Sequence, residues 1–239
     1  MLHKTRGIVF KTTDYSESSV IVQVFTEKFG LQSYLINGVK KPKAKIKRNV
    51  LQPLHLLEMV VYHKSAGNIQ RVSELRNIPV FQSIPFSIIK SSLTLFLNEV
   101  LYRSVRHQGP DEQLFDFLFN GLILLDKTEE GLQVFHLQFL LKLTKHLGFY
   151  PDKAAEAKPF FDLKEGLFTE VLTADALVIR PPETEFWASL LHAGFGNTSL
   201  RIPAAVRHSL INHLLNYYRY HIEDFGEIKS LPILEELLH

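Results

Sequence analysis

The chain has 239 residues, 46% of them apolar, with 27 Lys+Arg against 25 Asp+Glu and no cysteine. That length and apolar share suffice for one large domain or two small ones, each with a core. The missing thiols exclude disulfides, a cysteine nucleophile and cysteine-held metal. The longest apolar stretch, 114–125, is broken by Asp116 and Asn120 and is too short to cross a bilayer, and the opening residues lack the apolar centre of a signal peptide, so a cytoplasmic location is expected.

The net charge of +2 hides a division along the chain. Residues 1–80 carry 13 Lys+Arg against 5 Asp+Glu, while residues 81–239 carry 14 against 20. The composition therefore predicts two domains, 1–80 and 81–239, the first basic and the second acidic.

In the first domain the chain favours extended structure. Runs 7–13, 19–26 and 31–36 are dense in β-branched and aromatic residues, and polar segments 14–18 and 27–30 separate them. Two further runs, 54–62 and 68–75, flank the turn material of 63–67. Five short strands with a long loop between the third and fourth predict a small Greek-key barrel of the OB-fold type.

That long loop holds Lys40, Lys41, Lys43, Lys45, Lys47 and Arg48, with no carboxylate among them. Six cations so close repel one another, so they belong in water or against a polyanion. Barrels of this type bind single strands by neutralising phosphate and stacking bases on aromatic rings. Phe10, Tyr15, Tyr34 and Tyr62 are the candidate rings, with Tyr34 grouped among the nucleic-acid contacts, and Lys4, Arg6, Lys11, Lys64 and Arg71 extend the positive surface.

Past Pro85 the apolar period changes. Ile88, Ile89, Leu93, Phe96, Leu97 and Val100 recur at three- and four-residue spacing and predict a helix ending before Gly109-Pro110. Asp111 then caps a second helix reaching about Leu125, and 132–147 forms a third, closed by Gly148. Helices are also predicted at 183–192, 203–222 and 232–238. Between the third and fourth lies 152–180, where 160–168 reads as a hairpin turning at Gly166. The fold class is thus multi-domain, an N-terminal barrel followed by an all-α C-terminal domain with a small hairpin-like insertion. No phosphate-binding glycine loop, His-Glu-x-x-His helix or nucleophile elbow occurs, and no enzyme activity or cofactor is expected.

Residues 5–18, Thr-Arg-Gly-Ile-Val-Phe-Lys-Thr-Thr-Asp-Tyr-Ser-Glu-Ser, then Phe25-Thr26 with Gly30, then Gly38-Val39-Lys40-Lys41, form a long pattern that resembles the opening of the RecO family of bacterial recombination mediators. The likeness continues more loosely in 137–152 and in 214–231. It implies a DNA-binding protein that anneals complementary strands and, with the partner RecR, helps load the recombinase onto DNA coated by single-strand-binding protein in DNA repair. It also implies that the helical domain contacts the acidic C-terminal tail of that coating protein. Lys142, Lys145, Arg201 and Arg207, set beside apolar neighbours, are the candidates for holding such a tail. Many relatives carry a four-cysteine zinc module after the Gly-Phe-x-Pro-Asp segment. Here 152–180 contains neither Cys nor His, so no zinc is expected. The alternative from a different class is a scaffold whose basic barrel docks an acidic protein.

Overall fold

The computed structural model describes residues 1–239 except 65–66, 106–108, 155–157, 173–176 and 239. The chain divides into two compact units, Met1–Lys127 and Thr128–His239.

Five strands open the first unit: β1 (Leu2–Asp14), β2 (Val20–Thr26), β3 (Gly30–Ile36), β4 (Leu56–Tyr62) and β5 (Ile69–Asn77). They close into a barrel in the order β1-β2-β3-β5-β4. β3 and β5 run parallel, and the other pairs are antiparallel. This is the OB-type barrel that the sequence predicts. Alternation along the strands points Val20, Val22, Val24, Tyr34, Leu57 and Met59 inward to a common core.

β1 is long enough to serve two neighbours. Leu2–Ile8 pairs with β4 and Gly7–Asp14 with β2, with a bulge between Val9 and Lys11 that lets the strand bend around the barrel. Both ladders meet at Gly7. A Cβ there would lie 2.5 Å from Val24 Cγ1 and 3.0 Å from Met59 Sδ, and a valine locked in a strand yields little. Gly7→Ala is expected to cost about 1–3 kcal/mol by overpacking, read as a lowered midpoint in urea denaturation.

Two helices, α1 (Ile88–Val105) and α2 (Glu112–Lys127), complete the first unit. They pack where outward residues of the barrel are apolar: Phe10 stacks on Phe25 with centroids 5.9 Å apart, and Phe25 meets Phe115 of α2 at 6.2 Å. The predicted stripe of α1 is buried from Leu93 onward, whereas Ile88 is 69% exposed.

The connection from barrel to α1 is held by one carboxylate. Asp126 accepts backbone N–H bonds from Gln82, Ser83 and Ile84 at 2.8–2.9 Å, and Lys90 Nζ donates to the Asp126 carbonyl at 2.8 Å. Partial burial raises the Asp126 pKa, but those donors outweigh it and hold the carboxyl below its usual range. Its contribution to stability is therefore present above the unfolded carboxylate pKa and lost as pH falls through the folded one. Asp126→Ala strands three donors and is expected to cost about 1–3 kcal/mol, with the deficit against wild type narrowing in acid-titrated melts.

The second unit contains α3 (Leu132–Leu147), α4 (Glu183–His192), α5 (Ala204–His221) and α6 (Leu231–Leu237). Buried residues occur all around α3, which makes it the central helix, and Gly148 ends it at φ +88°. Tyr218 of α5 donates its hydroxyl to the Leu140 carbonyl, and Tyr217 donates to the Phe149 carbonyl.

Within the insertion, β6 (Phe160–Asp162), β7 (Leu167–Thr169) and β8 (Val178–Ile179) form a small sheet in the order β7-β6-β8. The hairpin turns at Gly166 (φ +71°), where Asp162 Oδ1 accepts the backbone N–H groups of Lys164 and Glu165. A Cβ on Gly166 would lie 2.7 Å from Tyr217 Oη. Phe161 sits 5.0 Å from Phe168, 5.1 Å from Trp187 and 6.1 Å from Tyr217, ring centroid to ring centroid. An aromatic cluster thus occupies the centre of this module.

Candidate nucleic-acid interface

The basic segment lies between β3 and β4 and is pinned to the barrel. Val39, Ile46, Val50 and Leu51 turn inward onto the barrel core. Turn bonds from Lys41 N to Gly38 O, Ala44 N to Lys41 O and Val50 N to Lys47 O fold the loop, and a short 3-10 turn spans Arg48–Leu51. Lys40, Lys41, Lys43, Lys45, Lys47 and Arg48 are all exposed. Apolar residues interleaved with lysines therefore anchor the loop while the charges face water.

These six cations are not equivalent. Lys40 Nζ lies 3.3 Å from Asp14 Oδ1, and Arg48 Nη1 lies 2.9 Å from the same atom. Among the described residues Lys41, Lys43, Lys45 and Lys47 have no ion-pair partner. Unshared ammonium groups are the ones free to replace the counterions of a phosphate chain.

Lys45 and Ile46 form one wall of a groove of about 500 Å³, with Lys4, Glu58, Met59 and Arg76 among its other lining residues. Arg76 is paired with Glu58, its Nε 3.0 Å from Oε2, so the walls carry both signs. A second groove, of about 390 Å³, is lined by Tyr62, Lys64, Ile69, Gln70 and Arg71. Lys11 is exposed, with Nζ 5.7 Å from the centroid of the Tyr102 ring on α1.

Two expected contact residues have other roles. Arg6 Nε and Nη2 donate to both Glu27 oxygens at 3.1 and 2.9 Å, and Nη2 also reaches Asp116 Oδ1 at 2.7 Å. Its guanidinium lies 5.1 Å from the Phe115 ring centroid and 4.9 Å from that of Phe119. The hydrogen bond to Glu27 raises its pKa further above the ordinary value. Arg6 therefore ties β1 to α2 with its charge already balanced.

Tyr34 is fully buried, packed among the valines of the barrel. Burial pushes its phenol up to about 12, and no ring face reaches solvent. Phe10 is buried as well, whereas Tyr15 is 61% and Tyr62 46% exposed. Strand alternation separates Tyr34 from Ser33 and Leu35, but a strand with apolar residues on both faces does not announce which face is inside.

In the second unit Lys142 and Lys145 share the last turns of α3. Lys142 Nζ is 5.6 Å from the Tyr150 ring centroid and Lys153 Nζ 5.9 Å. Burial, then the charges of Lys153 and Lys145, lower the Lys142 pKa. Lys153, absent from the predicted set, belongs to this group and donates to the Leu191 carbonyl at 2.6 Å. Arg201 and Arg207 differ, because each is spent on backbone. Arg201 donates to the Thr198 carbonyl, and Arg207 donates to the Ile202 and Leu238 carbonyls at 2.8 and 2.7 Å, fastening the end of α6. Arg207 also lines a cavity of about 30 Å³ beside His136, a buried imidazole pushed down to about 3 by burial and then by the Arg207 charge.

Among the described residues no group of three or more His, Cys, Asp or Glu is placed to hold a metal ion. Nor is any helix among them long and apolar enough to cross a membrane.

Residues 1–81 match the family model described as Recombination protein O N terminal, and residues 85–232 match Recombination protein O C terminal. The chain is 36% identical over 236 residues to the DNA repair protein RecO of Flavobacterium psychrophilum and 37% identical over 235 to that of Flavobacterium johnsoniae, covering 98% of each sequence. It is 34% identical over 243 residues to the DNA repair protein RecO of Bacteroides fragilis, covering 99% of both. Two family models that follow one another along the chain, and full-length likeness to these relatives, establish that the chain belongs to the Recombination protein O family of DNA repair and recombination proteins.

Proposed function

We propose that this chain is a DNA-binding recombination mediator that anneals complementary single strands and helps load recombinase onto coated single-stranded DNA. The observation that carries this reading is the pinned loop, with four exposed lysines that no carboxylate among the described residues shares. Annealing two polyanions requires a surface that lowers their mutual repulsion without reading bases, and ammonium groups meet phosphate with little geometric demand. The chain acts by binding and carries out no chemical step.

Its proposed partners are single- and double-stranded DNA, RecR and the acidic tail of the single-strand-binding protein. For the tail, the favoured contact is the group around Tyr150, where the ammonium groups of Lys142 and Lys153 border the ring and the charge of Lys145 acts on Lys142. Arg201 and Arg207 hold the fold of the second unit and contribute less.

The deciding experiment is a fluorescence annealing assay on complementary strands coated with single-strand-binding protein. The full chain should accelerate pairing at low salt and lose that effect as salt rises. Annealing no faster than the spontaneous rate at every salt concentration would refute the reading.

A further inference from the structure

The second groove combines features that phosphate binding alone does not require. Tyr62 ends β4 and is paired across the ladder with Arg71 of β5, so the two side chains leave the same face of the sheet. Ile69, two residues before Arg71, shares that face and is 48% exposed. Lys64 follows Tyr62 by two residues and lines the same groove. Neither Lys64 nor Arg71 has an ion-pair partner among the described residues.

The groove is also held in shape. Gln70, nearly fully buried between two exposed neighbours, donates its amide to the Lys64 carbonyl at 2.8 Å and to the Gly67 carbonyl at 2.7 Å, and its Oε1 accepts the Lys64 N–H at 2.9 Å. One side chain thus fixes both flanks of the β4–β5 connection. A ring and two cations held this way need little ordering when a ligand arrives.

We infer that this groove is a nucleotide subsite, in which Tyr62 stacks an unpaired base and Lys64 and Arg71 hold the adjoining phosphates. The inference rests on the DNA-binding reading above and deepens it. A single-stranded nucleotide presents a π-face and an anion a few ångströms apart, matching the half-exposed ring beside two unshared cations. A purely acidic peptide segment, with no apolar or aromatic side chain, would use the cations and leave the Tyr62 and Ile69 surfaces wet. Duplex DNA keeps its base faces stacked, so it engages the cations and not the ring. Position supports the same occupant. Arg71 lies opposite Leu35 in the parallel β3–β5 ladder, only five residues before the basic run opens at Lys40. A strand lying on the loop can therefore continue toward Tyr62.

The test uses the full chain with a fluorescent oligothymidine and a duplex of equal length, each titrated at several salt concentrations. Tyr62→Leu, which keeps apolar bulk but removes the π-face, should weaken single-strand binding about tenfold while leaving duplex affinity and the salt slope unchanged. Tyr62→Phe should restore single-strand affinity, and light-driven crosslinking of a 5-iodouracil strand should label the peptide containing Tyr62. Lys64→Ala with Arg71→Ala should instead flatten the single-strand slope by about 1.4. Unchanged affinity in Tyr62→Leu, equal losses on both DNA forms, or no rescue by phenylalanine would overturn the subsite. If wild type binds neither DNA form, the broader reading fails too; if only the loop variants lose binding, the subsite alone falls.

Discussion

Replacing Lys41, Lys43, Lys45 and Lys47 together with alanine is expected to reduce the basic loop's share of the salt dependence of single-strand binding from a slope of about −4 to about −1. Six phosphates neutralised by the loop give the steeper value at about 0.7 per contact on a single strand, so through these contacts a fourfold rise in salt weakens wild type by two to three decades. Of the loop cations only Lys40 and Arg48 remain in the variant, and both share Asp14. Through the loop, the same rise in salt should then weaken binding by less than about one decade. Asp14 also refines the wild-type value. If Lys40 and Arg48 stay with the carboxylate, the slope settles nearer −3, and Asp14→Asn should steepen it. The substitutions leave Val39, Ile46, Val50 and Leu51 in place, so the loop keeps its seat on the barrel. An unchanged slope in the quadruple variant, with annealing intact, would move the DNA to another surface.

The largest stability effect is expected at the aromatic cluster of the insertion. Phe161 is fully buried among Phe168, Trp187 and Tyr217, and Phe161→Ala should cost about 3–5 kcal/mol through lost burial and the cavity left behind. That is a large share of the roughly 5–15 kcal/mol typical of a folded protein. Residues 152–180 contain neither Cys nor His, and ring packing holds β6 against α4 and α5. A strong chelator should therefore leave the thermal midpoint of wild type unmoved, while Phe161→Ala lowers it whether or not zinc is added. A midpoint that falls on chelation would show that metal, and not aromatic packing, sustains the module.

These two expectations differ in how far they could be read ahead. Six cations without a carboxylate are visible in the primary structure, and so are a turn at Gly166 and Phe160, Phe161 and Phe168 in a segment without Cys or His. The Asp14 partnership was not visible, since Asp14 and Arg48 are 34 positions apart and meet only because the end of β1 and the long loop lie at the same part of the barrel. Arg6 is the sharpest case. Among the basic residues at the start of the chain it is indistinguishable from Lys4, yet Glu27, Asp116, 110 positions away, and the Phe115 and Phe119 rings take up its charge. Helices α1 and α2 read as part of the second domain by their period, and the family model for residues 85–232 takes them in, while the compact unit Met1–Lys127 holds them together with the barrel.

What the sequence by itself determined is what depends on neighbours: the extended runs and their turns, the helical periods, the glycine stops and the concentration of charge in one loop. Local sterics and short-range repulsion set these features, and they survive any choice of tertiary partner. The tertiary structure alone decided which aromatic rings face water, burying Tyr34 and leaving Tyr62 beside Arg71, and which cations keep their charge unshared. Burial and ion pairing arise from barrel closure through the non-local β3–β5 pairing, and no stretch of adjacent residues encodes that closure.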